Sequence, residues 1–145
     1  MSEPIRVLFV CTHNSARSQI AEALLVHEGG TAFEVHSAGT EATRVNPLAI
    51  QVLRERGIDW SRARSKAITE FLGQPFDAVV TVCDDARETC PVFLGARRSF
   101  HWSLDDPSRV QGSHEEQLAA FRRTADEVAA RLGPFIEEAT TVRTV

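Results

Sequence analysis

Ile5-Arg6-Val7-Leu8-Phe9-Val10 runs into Cys11-Thr12-His13-Asn14-Ser15-Ala16-Arg17-Ser18, and the residues beyond carry apolar Ile20, Ala21, Leu24 and Leu25 at helical spacing as far as Gly29-Gly30. The first six residues form a short apolar run bounded by Pro4 and a polar turn, the pattern of a buried strand. The run from Ser18 reads as a helix stopped by glycine. A strand, a polar loop and a helix in this order form the first half of a strand-helix-strand unit, which sets the expectation for the rest of the chain.

Working outward, Phe33-Glu34-Val35-His36 alternates as a strand, Pro47 to Arg56 repeats apolar residues at helical spacing before Gly57, and Ser65 to Leu72 reads as a shorter helix. Phe76 to Val82 is the second strongly apolar strand, Ser99 to Leu104 reads as a fourth, and His114 to Glu138 contains a long amphipathic helix. The tail from Thr140 to Val145 is expected to fray. This order implies an α/β fold: one domain over residues 1–145, with a four-stranded parallel sheet flanked by helices on both faces. Ligands of such sheets bind at the carboxyl ends of the strands, so the loops after the first, third and fourth strands are where chemistry is expected.

The composition narrows the classes. A chain of 145 residues suits one core, and 43% hydrophobic with 25% charged residues is ordinary for a globular protein. No apolar run approaches the roughly 20 residues needed to span a bilayer. The start, Met1-Ser2-Glu3-Pro4, has no basic and apolar leader, so a cytoplasmic location without a membrane partner is expected. A net charge of −4 argues against a nucleic-acid partner, which would demand a basic face. Three cysteines, Cys11, Cys83 and Cys90, are too few for a disulfide framework and lack zinc-site spacing; neither metal nor cofactor is expected.

A Cys alone at the end of a strand is ordinarily a small buried hydrophobe. Here Arg17 follows Cys11 by six positions, Ser18 comes next, and a strand and a helix flank the loop. A loop of that size can wrap a tetrahedral oxyanion: backbone N–H groups of Thr12, His13, Asn14, Ser15, Ala16, Arg17 and Ser18 supply donors, the helix terminus supplies positive potential, and a guanidinium holds two oxygens at once. The same field favours a thiolate at Cys11, the form that attacks phosphorus or arsenic.

Cys11 to Glu22, CTHNSARSQIAE, resembles the phosphate loop and first helix of the low-molecular-weight protein tyrosine phosphatase fold, and Ser37-Ala38-Gly39-Thr40, Asn46-Pro47 and Asp105-Asp106-Pro107 resemble further segments of that family in order. The resemblance covers Arg6 to about Phe135. It implies that Cys11 is the nucleophile, Arg17 clamps the oxyanion, Ser18 steadies the thiolate, Asn14 props the loop, and Asp106, the Asp directly before Pro107, is the general acid. An Asp before a Pro is otherwise a common turn residue.

Val82-Cys83-Asp84-Asp85-Ala86-Arg87-Glu88-Thr89-Cys90-Pro91 is similar to the redox segment of thioredoxin-coupled arsenate reductases, a branch of the same fold, as is His101-Trp102 ahead of Asp105-Asp106-Pro107. Cys83 closes the second buried strand at the sheet edge of Cys11. The chain has no Tyr, and Ser108 stands where phosphatases of the fold usually place one after Asp-Pro. The resemblance thus implies reduction of arsenate, with phosphate or sulfate as analogues. Cys11 forms an arseno-thiol, Cys83 releases arsenite by attacking it, Cys90 draws the disulfide away, and thioredoxin supplies the electrons.

Three positions depart from the common pattern: His13 replaces a usual Gly, Ala16 a frequent second loop Cys, and Lys66 an acid found in potassium-binding reductases. Glu22, Ser37 and Lys66, with Asn14 and Ser18, correspond to the loop support of those relatives; Lys66 either supplies the positive charge itself or, as lysines commonly do, points to solvent. His13 resembles relatives that use a small thiol such as mycothiol. A plain phosphatase and a mycothiol-type reductase are the alternative enzymes, and a nonenzymatic oxyanion-binding or redox-sensing module the alternative class.

Overall fold

The computed structural model describes residues 3–84 and 92–144. In chain order they form β1 (Ile5–Cys11), α1 (Arg17–Gly29), β2 (Phe33–Gly39), α2 (Pro47–Glu55), β3 (Phe76–Thr81), β4 (Ala96–His101) and α3 (His114–Thr144), with 3-10 turns at Gly30–Ala32, Ile68–Phe71 and Pro107–Arg109. The four strands make one parallel sheet in the order β2-β1-β3-β4. The apolar β1 is central, as a strand covered on both faces must be. Its register sets Cys11 against Gly39 of β2 and Val10 against Thr81 of β3, so all three strands deliver their ends to one edge.

Alternation along β1 divides the core in two. Val7, Phe9 and Cys11 pack with Ile20 and Leu24 of α1, Leu53 of α2, and Phe121 and Leu132 of α3. Phe9, Trp102 and Phe135 meet ring to ring in this half, with centroids 5.6–6.3 Å apart. Leu8 and Val10 face the other way, against Ala38, Phe71, Val79 and Phe93. Among the described residues helices therefore cover both faces of the expected four-stranded parallel sheet, unequally: three α-helices on one and the 3-10 turn Ile68–Phe71 on the other. No helix among the described residues is long and apolar enough to cross a membrane.

Three expectations about elements need correction. Ser65 to Leu72 is not a continuous helix: Ala67 bridges to Gly39, the C=O of Lys66 accepts from Gly39 N at 2.9 Å, and only Ile68–Phe71 turns. The fourth strand is Ala96–His101 rather than Ser99 to Leu104. Beyond it Trp102 and Leu104 stay buried in extended chain, so the apolar pattern outlasts the pairing. The tail continues α3 to Thr144, its hydroxyls at Thr140 and Thr141 donating back to the C=O groups of Ile136 and Glu137. β2 also runs further than its alternating part, to Gly39.

Candidate active site

The loop between β1 and α1 is held by its carbonyl groups. Those of Cys11 and Thr12 accept from Thr40 N and Glu41 N, and that of Ser15 from Asn46 N. The His13 carbonyl accepts from Thr43 Oγ1 and Ser65 Oγ, that of Asn14 from Gln19 Nε2, and that of Ala16 from Ile20 N. Every carbonyl from Cys11 to Ala16 is thus engaged. Because N–H and C=O oppose each other across a trans peptide, this arrangement turns loop amides away from the scaffold.

Two residues make the fit possible. Asn14 adopts φ 51°, a left-handed conformation that Asn tolerates better than most residues. Gly39 passes beneath the loop so closely that a Cβ there would lie 2.6 Å from Asn14 N and 2.7 Å from Thr12 O. Asn46, extended at φ −67°, caps α2 by accepting from Leu48 N, with Pro47 behind it.

Behind the loop lies a polar cluster whose inner members, Asn14, Ser18, Gln19 and Ser37, are fully buried. Cys11 Sγ stands 2.8 Å from Ser18 Oγ. Asn14 Nδ2 donates to Ser18 Oγ at 2.8 Å and to Ser37 Oγ at 2.9 Å, while Asn14 Oδ1 accepts from Gln19 Nε2 and from Lys66 N, each at 2.8 Å. Ser37 Oγ donates to Glu22 Oε1, and Lys66 Nζ stands 3.7 Å from the same oxygen, both side chains 13% exposed. Burial pushes the Glu22 carboxyl above its ordinary range; the Lys66 cation and the Ser37 hydroxyl oppose the rise. Asn14, Ser18, Glu22, Ser37 and Lys66 therefore meet in one network.

On the open side, Arg17 is 3% exposed; its Nη1 donates to Leu104 O at 3.1 Å and its Nη2 stands 3.7 Å from Asp106 Oδ2. Asp106 also caps the turn Pro107–Arg109, its Oδ1 accepting from Ser108 N at 2.9 Å and Ser108 Oγ at 2.6 Å. The turn and the site are one feature: the cap fixes one carboxylate oxygen and aims the other at Arg17. A cavity of about 360 Å³ lies between, lined by Cys11, His13, Ser15, Ala16, Arg17, Thr43, Asn46, Asp106 and Ser108.

Val82 N donates to Val10 O at 2.9 Å, so the chain leaves β3 alongside Cys11 and places Cys83 at the same sheet edge. Cys83 is buried and disulfide-bonded, while Cys11 is a free thiol. Cys90 lies outside the described residues. No cluster of three His, Cys, Asp or Glu able to hold a metal occurs among the described residues.

Sequence reasoning missed Gln19, Trp60 and Thr43. Gln19 is fully buried and takes Trp60 Nε1–H on its Oε1 at 2.8 Å. Its position on the inward stripe of α1, between Ser18 and Ile20, was the available signal: a buried amide requires partners.

The family model for low molecular weight phosphotyrosine protein phosphatases matches residues 6–143. The chain is similar to an arsenate reductase of Halalkalibacterium halodurans, 42% identical over 90% of this chain and 94% of that protein. It superposes on the solved structure of an arsenate reductase in a phosphate-binding state with a TM-score of 0.78 and 32% identity, covering 93% of this chain and 98% of the other. It also superposes on a thioredoxin-dependent arsenate reductase of Corynebacterium glutamicum with a TM-score of 0.72 and 30% identity, covering 98% of this chain and 65% of that one.

Proposed function

Because the chain belongs to the low molecular weight phosphotyrosine protein phosphatase family, we propose that its Cys11 loop serves arsenate reduction, with Cys83 and Cys90 as the electron relay and thioredoxin as the donor. The observation that carries the reading is Cys11 at the base of a cavity walled by Arg17 and Asp106, with a second Cys at the same sheet edge. The similarity to proteins named arsenate reductases, one of them thioredoxin-dependent, supports it.

In this reading arsenate enters the cavity, loop amides from Thr12 to Ser18 take its oxygens, and the Arg17 guanidinium binds two of them. Ser18 holds the Cys11 thiolate in line. Sγ attacks arsenic, Asp106 protonates the departing oxygen, and water leaves a covalent arseno-thiol. The Cys83 thiolate then attacks the Cys11 sulfur. An S–S bond forms, the S–As electron pair stays on arsenic, and As(V) departs as As(III). Cys90 attacks Cys83 and frees Cys11, and a thioredoxin dithiol reduces the remaining disulfide. Asn14, Glu22, Ser37 and Lys66 brace the loop throughout.

Against a phosphatase role stands the cavity wall. Among the described residues that line it, Ser108, Thr43 and Asn46 are small or polar and His13 alone carries a ring, a wall that offers an aryl ester little to stack on. The test is arsenate-dependent consumption of NADPH with thioredoxin and thioredoxin reductase. Turnover there, but not with mycothiol or glutathione systems, is the expected result. Hydrolysis of an aryl phosphate at a comparable rate without arsenate reduction would overturn the proposal.

A further inference from the structure

Hydrogen-bond direction at the nucleophile is decided several residues away. A serine hydroxyl has one proton, and whether Ser18 offers it to Cys11 Sγ or offers a lone pair depends on what else it binds. Asn14 Nδ2 donates to Ser18 Oγ and Ser37 Oγ, so each hydroxyl accepts from the amide and keeps its own proton for its other partner: Cys11 Sγ for Ser18, Glu22 for Ser37.

The Asn14 amide holds that orientation because Oδ1 faces only donors, the peptide N–H of Lys66 and Gln19 Nε2. Gln19 is oriented in turn by groups that cannot reverse. The Trp60 indole can only donate, and reaches Oε1; the carbonyls of Arg64 and Asn14 can only accept, and meet Nε2 at 3.0 and 3.3 Å. If the Asn14 amide were turned over, its NH₂ would confront two donors, both serines would have to donate to Oδ1, and Ser18 would present a lone pair to a thiolate.

We propose that Gln19, fully buried in the first turn of α1, is a positioning residue that fixes the polarity of the Asn14 amide and so keeps the Ser18 hydroxyl donating to the Cys11 thiolate. A buried Gln serving only to fill the core would influence stability alone. A residue that sets donor direction also influences how readily Cys11 ionises.

The inference rests on Cys11 as the reactive thiol but not on which oxyanion it attacks, and its test needs no arsenate. The unmodified protein, Gln19→Glu and Gln19→Met are alkylated with iodoacetamide across a pH series, and modification of the Cys11 peptide is quantified by mass spectrometry. Circular dichroism and Tm establish that each variant is folded. Gln19→Met removes the donor to Asn14 Oδ1 without adding a charge and should raise the pH of half-maximal Cys11 alkylation by about one unit, the scale of one hydrogen bond to the charged form. Gln19→Glu, nearly isosteric and buried among acceptors, takes up a proton and donates to Asn14 Oδ1 as the amide does, so its profile should stay within about half a unit of the unmodified one. A folded Gln19→Met that alkylates with the unmodified pH profile overturns the proposal whatever its Tm. If that variant does not fold, an unmodified profile in Gln19→Leu does so instead.

Discussion

Arg17 and Asp106 face each other across the mouth of the cavity, Nη2 to Oδ2 at 3.7 Å, while the other oxygen of Asp106 is tied to Ser108. The guanidinium that would clamp a substrate oxygen therefore also marks where the acid stands. Asp106→Asn keeps the cap on Pro107–Arg109 and removes the transferable proton. Single-turnover kinetics should show formation of the arseno-thiol slowed by about 10²–10⁴-fold with oxyanion affinity little changed. A rate equal to that of the unmodified protein at every pH would leave Asp106 a turn residue alone.

Val82 N donates to Val10 O at 2.9 Å, which sets Cys83 and Cys11 at the ends of adjacent strands, and the proposed relay requires a transient bond between them. Cys90→Ser should complete one turnover and trap Cys11 bonded to Cys83, whereas Cys83→Ser should hold arsenic on Cys11. Peptide mapping after one equivalent of arsenate distinguishes them; finding no Cys11 to Cys83 bond in Cys90→Ser would eliminate the relay.

What could be read from the sequence followed burial and spacing. Cys11, Arg17 and Ser18 were legible because a strand, a loop of fixed length and a helix are local signals, whereas Asp106 was reached only through the resemblance, since an Asp before a Pro by itself reads as a turn. The edge strand Ala96–His101 was displaced towards Trp102 and Leu104 because its own side chains carry little apolar alternation. Arg98 lays its guanidinium over Phe100, 5.1 Å from the ring centroid, and pairs with Glu138, so a charged residue does the covering. Ser65 to Leu72 read as helical since periodicity cannot show that the Lys66 carbonyl is claimed by Gly39. Gln19 escaped for a related reason: donor direction is a property of the assembled cluster, invisible in any one segment.

Gly39 separates close approach from conformational freedom as the reason for a glycine. Its added Cβ would meet backbone atoms of Asn14 and Thr12, which have no rotamer to yield, so the loop itself must shift. Gly39→Ala should cost about 1–3 kcal/mol and abolish phosphate binding measured by calorimetry. Gly133→Ala, inside α3 with nothing within 4 Å of its Cβ, should leave binding intact and gain up to about 1 kcal/mol. Equal phosphate affinity in both variants would refute the steric account of the loop.

Glu22 gives the fold a pH dependence whose sign follows from its surroundings. Burial raises its carboxyl above the usual range, against the pull of the Lys66 cation and the Ser37 hydroxyl, so the folded chain holds this proton more tightly than the unfolded chain does. Stability from this group is present below the unfolded-state value and declines as pH climbs through the window between that value and the raised one, becoming constant above it. Glu22→Gln, uncharged throughout, lacks this decline, so its Tm should improve relative to the unmodified protein as pH rises through the window. Lys66→Met takes away the opposing cation, raises the Glu22 carboxyl further and extends the window upward, so its Tm deficit should be larger at neutral pH than in acid. Orphaning one member of a fully buried pair costs about 3–5 kcal/mol, and with both side chains 13% exposed the loss here should fall below that range. Tm curves against pH for the four combinations of Glu22→Gln and Lys66→Met measure both effects. Parallel curves for the unmodified protein and Lys66→Met would mean that Lys66 does not act on Glu22, and that the loop is braced by Ser37 and Asn14 without it.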